Sequence, residues 1–412
     1  MNVLFIHQNF PAQFKHLAPH LALDINNNIL ALSARSDLPK EWMGVKLFNY
    51  KIKKNSTTGI HPLITELETK VIRGEACFHA CIELNDQGFI PDVVIGHPGW
   101  GELLYIKEVW PKVKVGMYLE YYYNKSGADV GFDPEFDDAS SELGPRLYSK
   151  NFNNIINFEI ADLAICPTSW QASTFPKKFM DKISVIHDGI DTSVLLPNKI
   201  ASLKLPCGTV LSDKDDVVTF VNRNLEPYRG YHVFMRSLKK IFKLNPNAKI
   251  LIIGGEKVSY GAPPKIGESW KKIFFDEVKH EFSDNERRNV FFLGTLPYSY
   301  YLSVMRLSKV HVYLTYPFVL SWSLLESMSL GCAIVASDVE PVKEVINHRK
   351  NGLLVDFFNT DELAENISIL LKDRTYAATL GNEARNFIVK NYDLKTISLP
   401  NQVNWIKNLL KL

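Results

Sequence analysis

Two arginines six positions apart bracket a proline-containing loop in VNRNLEPYRGYHVFM, residues 221–235. A β-rich run ends at Val221 and a helical run begins near Tyr231, so Arg223 and Arg229 flank a strand-to-helix connection. Guanidinium groups there, with helix amides beside them, suit the oxygens of a diphosphate. Two surface arginines on a solvated loop would look the same. The second constellation is PFVLSWSLLES, residues 317–327. Ser321 or Ser323 can cap a helix whose apolar face includes Leu324, Leu325 and Met328. Capping there leaves amides and the positive dipole end for an anion. Glu326, about a turn inside, has the wrong charge for a phosphate and suits vicinal hydroxyls, such as those of a ribose. A first-turn glutamate that only complements the helix dipole is the alternative.

Three further stretches carry polar groups at strand ends. In VVIGHPGWGE, His97 follows a buried run and can donate to a sugar hydroxyl or a developing charge. A loop histidine satisfied by backbone fits equally. In QNFPAQF, residues 8–14, a strand gives way to a helix within a few residues, and no G-x-G-x-x-G marks a dinucleotide site. In GGE, Gly254 lets backbone approach a ligand, although glycine at a turn is common. Finally, LEYYYNKSGADVGFDPEFDD combines Tyr121, Tyr122 and Tyr123 with Glu120, Asp133, Glu135, Asp137 and Asp138. Aromatic and carboxylate surface suits carbohydrate, as it also suits a solvated loop. Glu120, Tyr122 and Asp133 are the candidates for an acceptor side. Neither a convincing metal-ligand cluster nor a Ser/His/Asp arrangement is visible.

These residues need elements to hold them. Short buried runs (residues 2–7, 92–96, 114–118, 162–167 and 182–187) alternate with helical stretches such as 13–23 and 147–161. A second series follows at 216–221, 248–254, 289–294, 310–314, 333–337 and 352–357, with a helix over 232–244. Buried strands separated by helices predict parallel sheets covered on both faces. A length of 412 residues calls for two domains. Residues 189–208, rich in turn formers and without a clear period, read as the connection, and 398–411 as a terminal amphipathic helix beyond Pro400.

A composition of 46% hydrophobic and 22% charged residues belongs to a globular protein. No apolar run is long enough to span a bilayer. MNVLFIHQNF lacks the basic start of a signal peptide, so a cytoplasmic location is expected. The five cysteines are scattered, and packed thiols are expected. Net charge is about −4 through residue 200 and about +6 beyond it. A mildly basic second half fits a small phosphorylated ligand and excludes the dense basic stripe of a nucleic-acid binder.

The segments HQNFPAQFKHLAPHLA, PTSWQASTFP, ISVIHDGID, NRNLEPYRG and SWSLLESMSLGCAIVASDVEPVKEVINHRKNGLLV, in this order, resemble the family 4 glycosyltransferases. The resemblance implies a GT-B fold: two Rossmann-like domains facing each other, here 1–194 for the acceptor side and 195–395 for the donor side. The helix within 396–412 would return to the first domain. It also implies retaining transfer of a sugar from a nucleotide diphosphate sugar, with no bound metal and no other cofactor. By position, Arg223 and Arg229 match the basic pair on the donor diphosphate. Glu326 matches the ribose-binding carboxylate, His97 the histidine near the donor sugar, and Gly294-Thr295-Leu296 the turn lining the base. The family's first glutamate, eight positions before the second, would fall at Phe318. Backbone from Val319 through Leu320 and Ser321 to Trp322 would still serve the phosphates and sugar. Ala12 stands where a loop glycine is common. The acceptor is a glycan, a lipid-linked glycan or a protein, and peripheral contact with the inner face of a membrane stays open. Phe318 motivates an alternative, a non-catalytic nucleotide-sugar-binding partner of another enzyme. A nucleotide-sugar epimerase is a more remote one.

Overall fold

The computed structural model describes residues 1–136, 142–198, 200 and 202–412. Asp137 and Asp138 lie outside these residues. The chain divides into two compact units. One comprises Met1–Ser126, Asp138–Gly189 and Leu394–Leu412; the other comprises Gly127–Asp137 and Ile190–Asp393.

In the first unit the apolar runs form strands β1 (Asn2–Ile6), β2 (Asn28–Ser33), β3 (Glu41–Trp42), β4 (Val45–Asn49), β5 (Val93–Gly96), β6 (Lys114–Tyr118), β7 (Leu163–Cys166) and β8 (Ile183–Val185). They make one sheet in the order β3-β4-β2-β1-β5-β6-β7-β8, parallel except for the β3–β4 hairpin. Val3, Leu4, Phe5 and Ile6 are fully buried because both faces of β1 are covered. A 25-residue helix, Pro62–Asp86, lies across the chain between β4 and β5 and buries Gly74, Cys77, Cys81 and Leu84, a three-four spacing. The expected helix over 13–23 is split into a 3-10 turn, Ala12–Phe14, and a helix, Leu17–Ala22. That over 147–161 is two helices, Leu143–Lys150 and Phe152–Ile160.

The terminal helix, Leu399–Leu409, takes Pro400 into its first turn, where the missing N–H costs nothing. It belongs to the first unit, where Trp405, Ile406 and Leu409 are buried. Gly116 of β6 makes room for it. A Cβ there would fall 2.5 Å from the Trp405 ring and 2.8 Å from Leu409.

The second unit holds a short hairpin, β9 (Ser202–Lys204) with β10 (Val210–Ser212), inside and just after the stretch read as structureless. Its main sheet comprises β11 (Val217–Asn224), β12 (Lys249–Gly255), β13 (Val290–Gly294), β14 (Val310–Tyr313), β15 (Ala333–Ser337) and β16 (Leu353–Val355). The order is β13-β12-β11-β14-β15-β16, all parallel. The chain builds outward from β11 on one side and then restarts at β14 on the other. The β11/β14 gap is therefore the topological switch point, where ligands collect beyond the strand ends.

The units meet along the chain at Gly189/Ile190, five residues before the expected boundary, and again at Asp393/Leu394. Gly127–Asp137 belongs to the second unit, although it was read as part of the first. Phe132 and Phe136 explain this, since both pack against the second unit's core. The Phe132 ring lies 5.2 Å from Phe357, and that of Phe136 5.5 Å from Trp270.

Candidate functional site

At the switch point of the second unit, β11 delivers Asn222, Arg223 and Asn224 to the strand end. Gly230, in the left-handed region at φ 66°, then turns the chain into the helix Tyr231–Leu244. A Cβ at Gly230 would fall 2.3 Å from Leu314, so the loop closes this tightly only with glycine.

The Arg229 side chain is drawn inward and only 5% exposed. Its Nη1 donates to Thr315 Oγ1 at 2.8 Å, to the Val319 carbonyl at 3.1 Å and to the Tyr313 hydroxyl at 3.4 Å. Nη2 donates to the same carbonyl at 3.2 Å. The guanidinium carbon lies 5.0 Å from the Tyr260 ring and 5.8 Å from that of Phe318. Burial alone would lower its pKa, but Tyr313, Tyr260 and the carboxylate of Glu226 together outweigh this and raise it, so the cation is retained. Among the described residues no carboxylate pairs with it. A buried cation whose hydrogen bonds all go to neutral oxygens marks a place prepared for an anion.

Tyr260 is held there from below. The buried Glu226 accepts from the amides of Ser259, Tyr260 and Gly261, each at 3.2 Å. Arg223, by contrast, is exposed, and its side chain has no hydrogen bond or ion pair among the described residues. It lines an open pocket of about 1040 Å³ together with Gly254, Gly255, Lys257, Leu296 and Tyr298. A Cβ on Gly255 would meet Asn224 Oδ1 at 2.6 Å, so this wall approaches closely only as glycine.

The 317–327 stretch is occupied differently from the expectation. Ser321 caps the helix Trp322–Ser329, accepting from the Ser323 amide at 3.3 Å. Its own amide donates to the Tyr313 hydroxyl at 3.0 Å, and the Val319 carbonyl is taken by Arg229. The amide of Ser321 and the carbonyl of Val319 thus already have partners in the chain. Leu320 is buried in core, and Trp322 is the first residue of the helix.

Phe318 is 5% exposed and packs against Tyr228 and Tyr260 at 5.3 and 5.1 Å. An aromatic ring against Arg229 therefore occupies the position at which the family carries a carboxylate. Glu326 is nearly buried and accepts from the Tyr298 hydroxyl at 2.9 Å, so one hydrogen bond separates it from a pocket-lining side chain. Burial and then Glu326 raise the Tyr298 pKa.

Asp133 is corrected from open acceptor surface to a buried partner. It accepts from Tyr316 at 2.6 Å and lies 3.1 Å from His232 Nε2. Glu135 makes a two-pronged ion pair with Arg236 at 2.6 and 2.8 Å. Asp133, Glu135 and His232 bring one potential metal-ligand atom each within 4.8 Å of one another. His232 lies roughly a hundred residues along the chain from Asp133 and Glu135, which hid this grouping from a sequence search for ligand spacing.

In the first unit, the loops after β1, β5 and β6 converge. His97 Nδ1 accepts from the Gly99 amide at 3.0 Å, which leaves the ring proton on Nε2, 3.3 Å from Glu120 Oε2. The ring is thus aimed at Glu120. Gln13 donates to the other Glu120 oxygen at 2.6 Å. Burial pushes the Glu120 pKa up, but His97 and Gln13 more than reverse this and hold it below the usual carboxylate value. His7 lies 5.5 Å from His97, ring to ring, and is pushed down to about 3 by burial and by His97.

Ala12 carries φ 40°, the backbone geometry that a glycine would adopt freely. Tyr122 packs its ring on Phe175 at 5.7 Å, against the hydrophobic core of the first unit. Tyr313, Thr315, Tyr260, Gln13 and His7 were not picked out from sequence. A tyrosine closing a strand at the switch point is the one signal that was available.

Residues 26–195 match the family described as "Glycosyl transferase family 4 group", and residues 208–387 match "Glycosyl transferases group 1". An uncharacterised glycosyltransferase of Methanocaldococcus jannaschii is 30% identical over 107 residues, covering 26% of this chain and 27% of that protein. A D-inositol 3-phosphate glycosyltransferase of Nocardia farcinica is 25% identical over 206 residues, covering 50% of this chain and 43% of that protein. The chain thus spans between about a quarter and under half of these relatives' lengths. Among solved structures, sucrose-phosphate synthase from Thermosynechococcus elongatus superposes over 100% of both chains with TM-score 0.71 and 16% identity. Anabaena HepE in complex with UDP and glucose does so over 100% of both with TM-score 0.67 and 15% identity. Among the described residues no helix is long and apolar enough to cross a membrane.

Proposed function

The chain belongs to the family 4 glycosyltransferases and has their GT-B fold, and from that premise we propose that it moves a hexose from a nucleoside diphosphate sugar to a glycan, lipid-linked glycan or protein acceptor with retention of the anomeric configuration. The observation that carries this is Arg229: a buried guanidinium at the switch point with four donor contacts, all to neutral oxygens. Arg223, exposed and unpaired in the adjoining pocket, supplies the second positive charge.

As the bond from the anomeric carbon to the donor phosphate oxygen breaks, its electron pair goes to the diphosphate. Arg229 and Arg223 neutralise that growing charge, in the place that a metal ion would otherwise fill. The acceptor hydroxyl oxygen bonds the anomeric carbon on the same face, and its proton passes to the leaving phosphate oxygen. Glu326, through Tyr298, orients the nucleoside end beside Leu296. In the first unit the ionised Glu120, braced by Gln13 and His97, orients a hydroxyl of the incoming sugar or acceptor.

The test is a panel of nucleoside diphosphate sugars in EDTA, with UDP sugars first because the Anabaena neighbour holds UDP. Release of the free diphosphate and, with a glycan acceptor, a product of unchanged anomeric configuration are expected. An inverted product overturns the same-face step. Binding without release under every acceptor tried returns the chain to a non-catalytic binder.

A further inference from the structure

We infer that Tyr313 is a positioning residue that ties the diphosphate-binding arginine to the start of the neighbouring helix; this rests on the donor reading above. Tyr313 closes β14 at the switch point and is 1% exposed, yet its hydroxyl oxygen receives two donors from different parts of the chain. Arg229 Nη1 approaches it at 3.4 Å from the β11 side, and the Ser321 amide donates to it at 3.0 Å from the helix side. These are the two groups whose chemistry suits phosphate oxygens, a guanidinium and an amide at a helix N-terminus. One phenolic oxygen therefore fixes their separation in the absence of substrate.

Several features fit that assignment. Burial raises the Tyr313 pKa, so the oxygen stays protonated and neutral, and it accepts from both donors without the charge that would hold Arg229 permanently. Arg229 has firmer anchors in Thr315 and the Val319 carbonyl, so the 3.4 Å contact is not needed to keep the arginine folded. Among the described residues the Ser321 amide has no other acceptor, and the Ser321 side chain is already spent on Ser323. Loss of the hydroxyl therefore uncouples the two donors while leaving each element standing. A neutral tyrosine is also a yielding acceptor: an arriving phosphate oxygen, being charged, outcompetes it for the same donors.

The experiment uses the full chain and calorimetric titration with UDP, GDP and ADP, then with the matching nucleoside monophosphate of whichever binds. Tyr313→Phe is isosteric, and retention of the wild-type melting temperature within a few degrees reports its folding. The expected result is an approximately tenfold loss for the diphosphate, because the two donors are no longer held in register before it arrives, with the monophosphate changed less than twofold. In an Arg229→Ala background, Tyr313→Phe costs the diphosphate less than it does in wild type, because one of the two donors it places is already gone. Equal weakening of monophosphate and diphosphate, full additivity with Arg229→Ala, or no loss at all overturns the inference. If the wild-type chain binds a diphosphate but Tyr313→Phe leaves it untouched, the donor reading survives and this one fails. If wild type binds no nucleoside diphosphate, both fail together.

Discussion

Replacing Arg229 by methionine separates binding from stability in a way that an ordinary buried residue would not. The lost binding is set by the contacts a phosphate would take. Two charge-assisted hydrogen bonds at about 1.5 kcal/mol each come to about 3 kcal/mol, roughly a hundredfold or more in diphosphate affinity. The folded state has opposing changes. Thr315 Oγ1 and the Val319 carbonyl lose donors at 2.8 and 3.1 Å, which costs about 1–3 kcal/mol for each group left unsatisfied. The contacts with the Tyr260 and Phe318 rings weaken by about 1 kcal/mol. Against this, a buried guanidinium hydrogen-bonded only to neutral oxygens no longer has to be desolvated, a relief of several kcal/mol. The nearly unbranched methionine refills the space between the rings. The substrate-free melting temperature should therefore move by no more than about 4 °C, while calorimetric affinity for the nucleoside diphosphate falls at least about a hundredfold. The reasoning is refuted by the opposite pattern, a fall in melting temperature above about 10 °C with diphosphate affinity intact. Arg229 would then be a structural cation.

Three other outcomes follow from the same geometry. Phe318→Glu puts the family's carboxylate beside Arg229; it should capture the guanidinium and weaken diphosphate binding in titrations, and loss of the buried ring should cost about 3 kcal/mol in urea unfolding. His7, His187 and His311 are each held down to about 3 by burial, so the unfolded chain takes up protons below about 6.5 while the native chain refuses them until about 3. Stability should fall as pH drops through that window, by about 1.4 kcal/mol per unit for each histidine, and urea midpoints that stay level between pH 7 and pH 5 would contradict this. Gly116→Ala places a methyl 2.5 Å from Trp405 and should loosen the terminal helix, which hydrogen exchange of Leu399–Leu409 amides measures.

Much of the fold could be read from sequence because buried parallel strands write themselves as unbroken apolar runs, as in β1, β5, β11 and β12. The helix Pro62–Asp86 was harder, since its buried face is made of Gly74, Cys77, Ala80 and Cys81, small residues that blunt an amphipathic pattern. The β9–β10 hairpin of three residues per strand is too short to show a period. Residues 127–136 were misplaced because strand and helix periodicity says nothing about where a loop's two phenylalanines find their core.

At the site, residue types located Arg223, Arg229, His97 and Glu326, since each sits at a strand end or helix start. Their partners are long-range and invisible to spacing. Arg229 meets Val319 ninety positions away, and Gln13 reaches Glu120 across more than a hundred. Phe318 shows the difference most clearly. Its identity announced a change in the site, but only the packing of Tyr228, Tyr260 and Arg229 around it shows that the ring fills the place and leaves no gap.

The central claim is that the second unit's switch point receives the diphosphate of a sugar donor, and a crystal structure with a nucleoside diphosphate bound in the absence of metal tests it most directly. The account predicts phosphate oxygens within hydrogen-bonding distance of both Arg223 and Arg229, with the base against Leu296. Phosphates bound away from both arginines, or no bound nucleotide at saturating concentration, would contradict it.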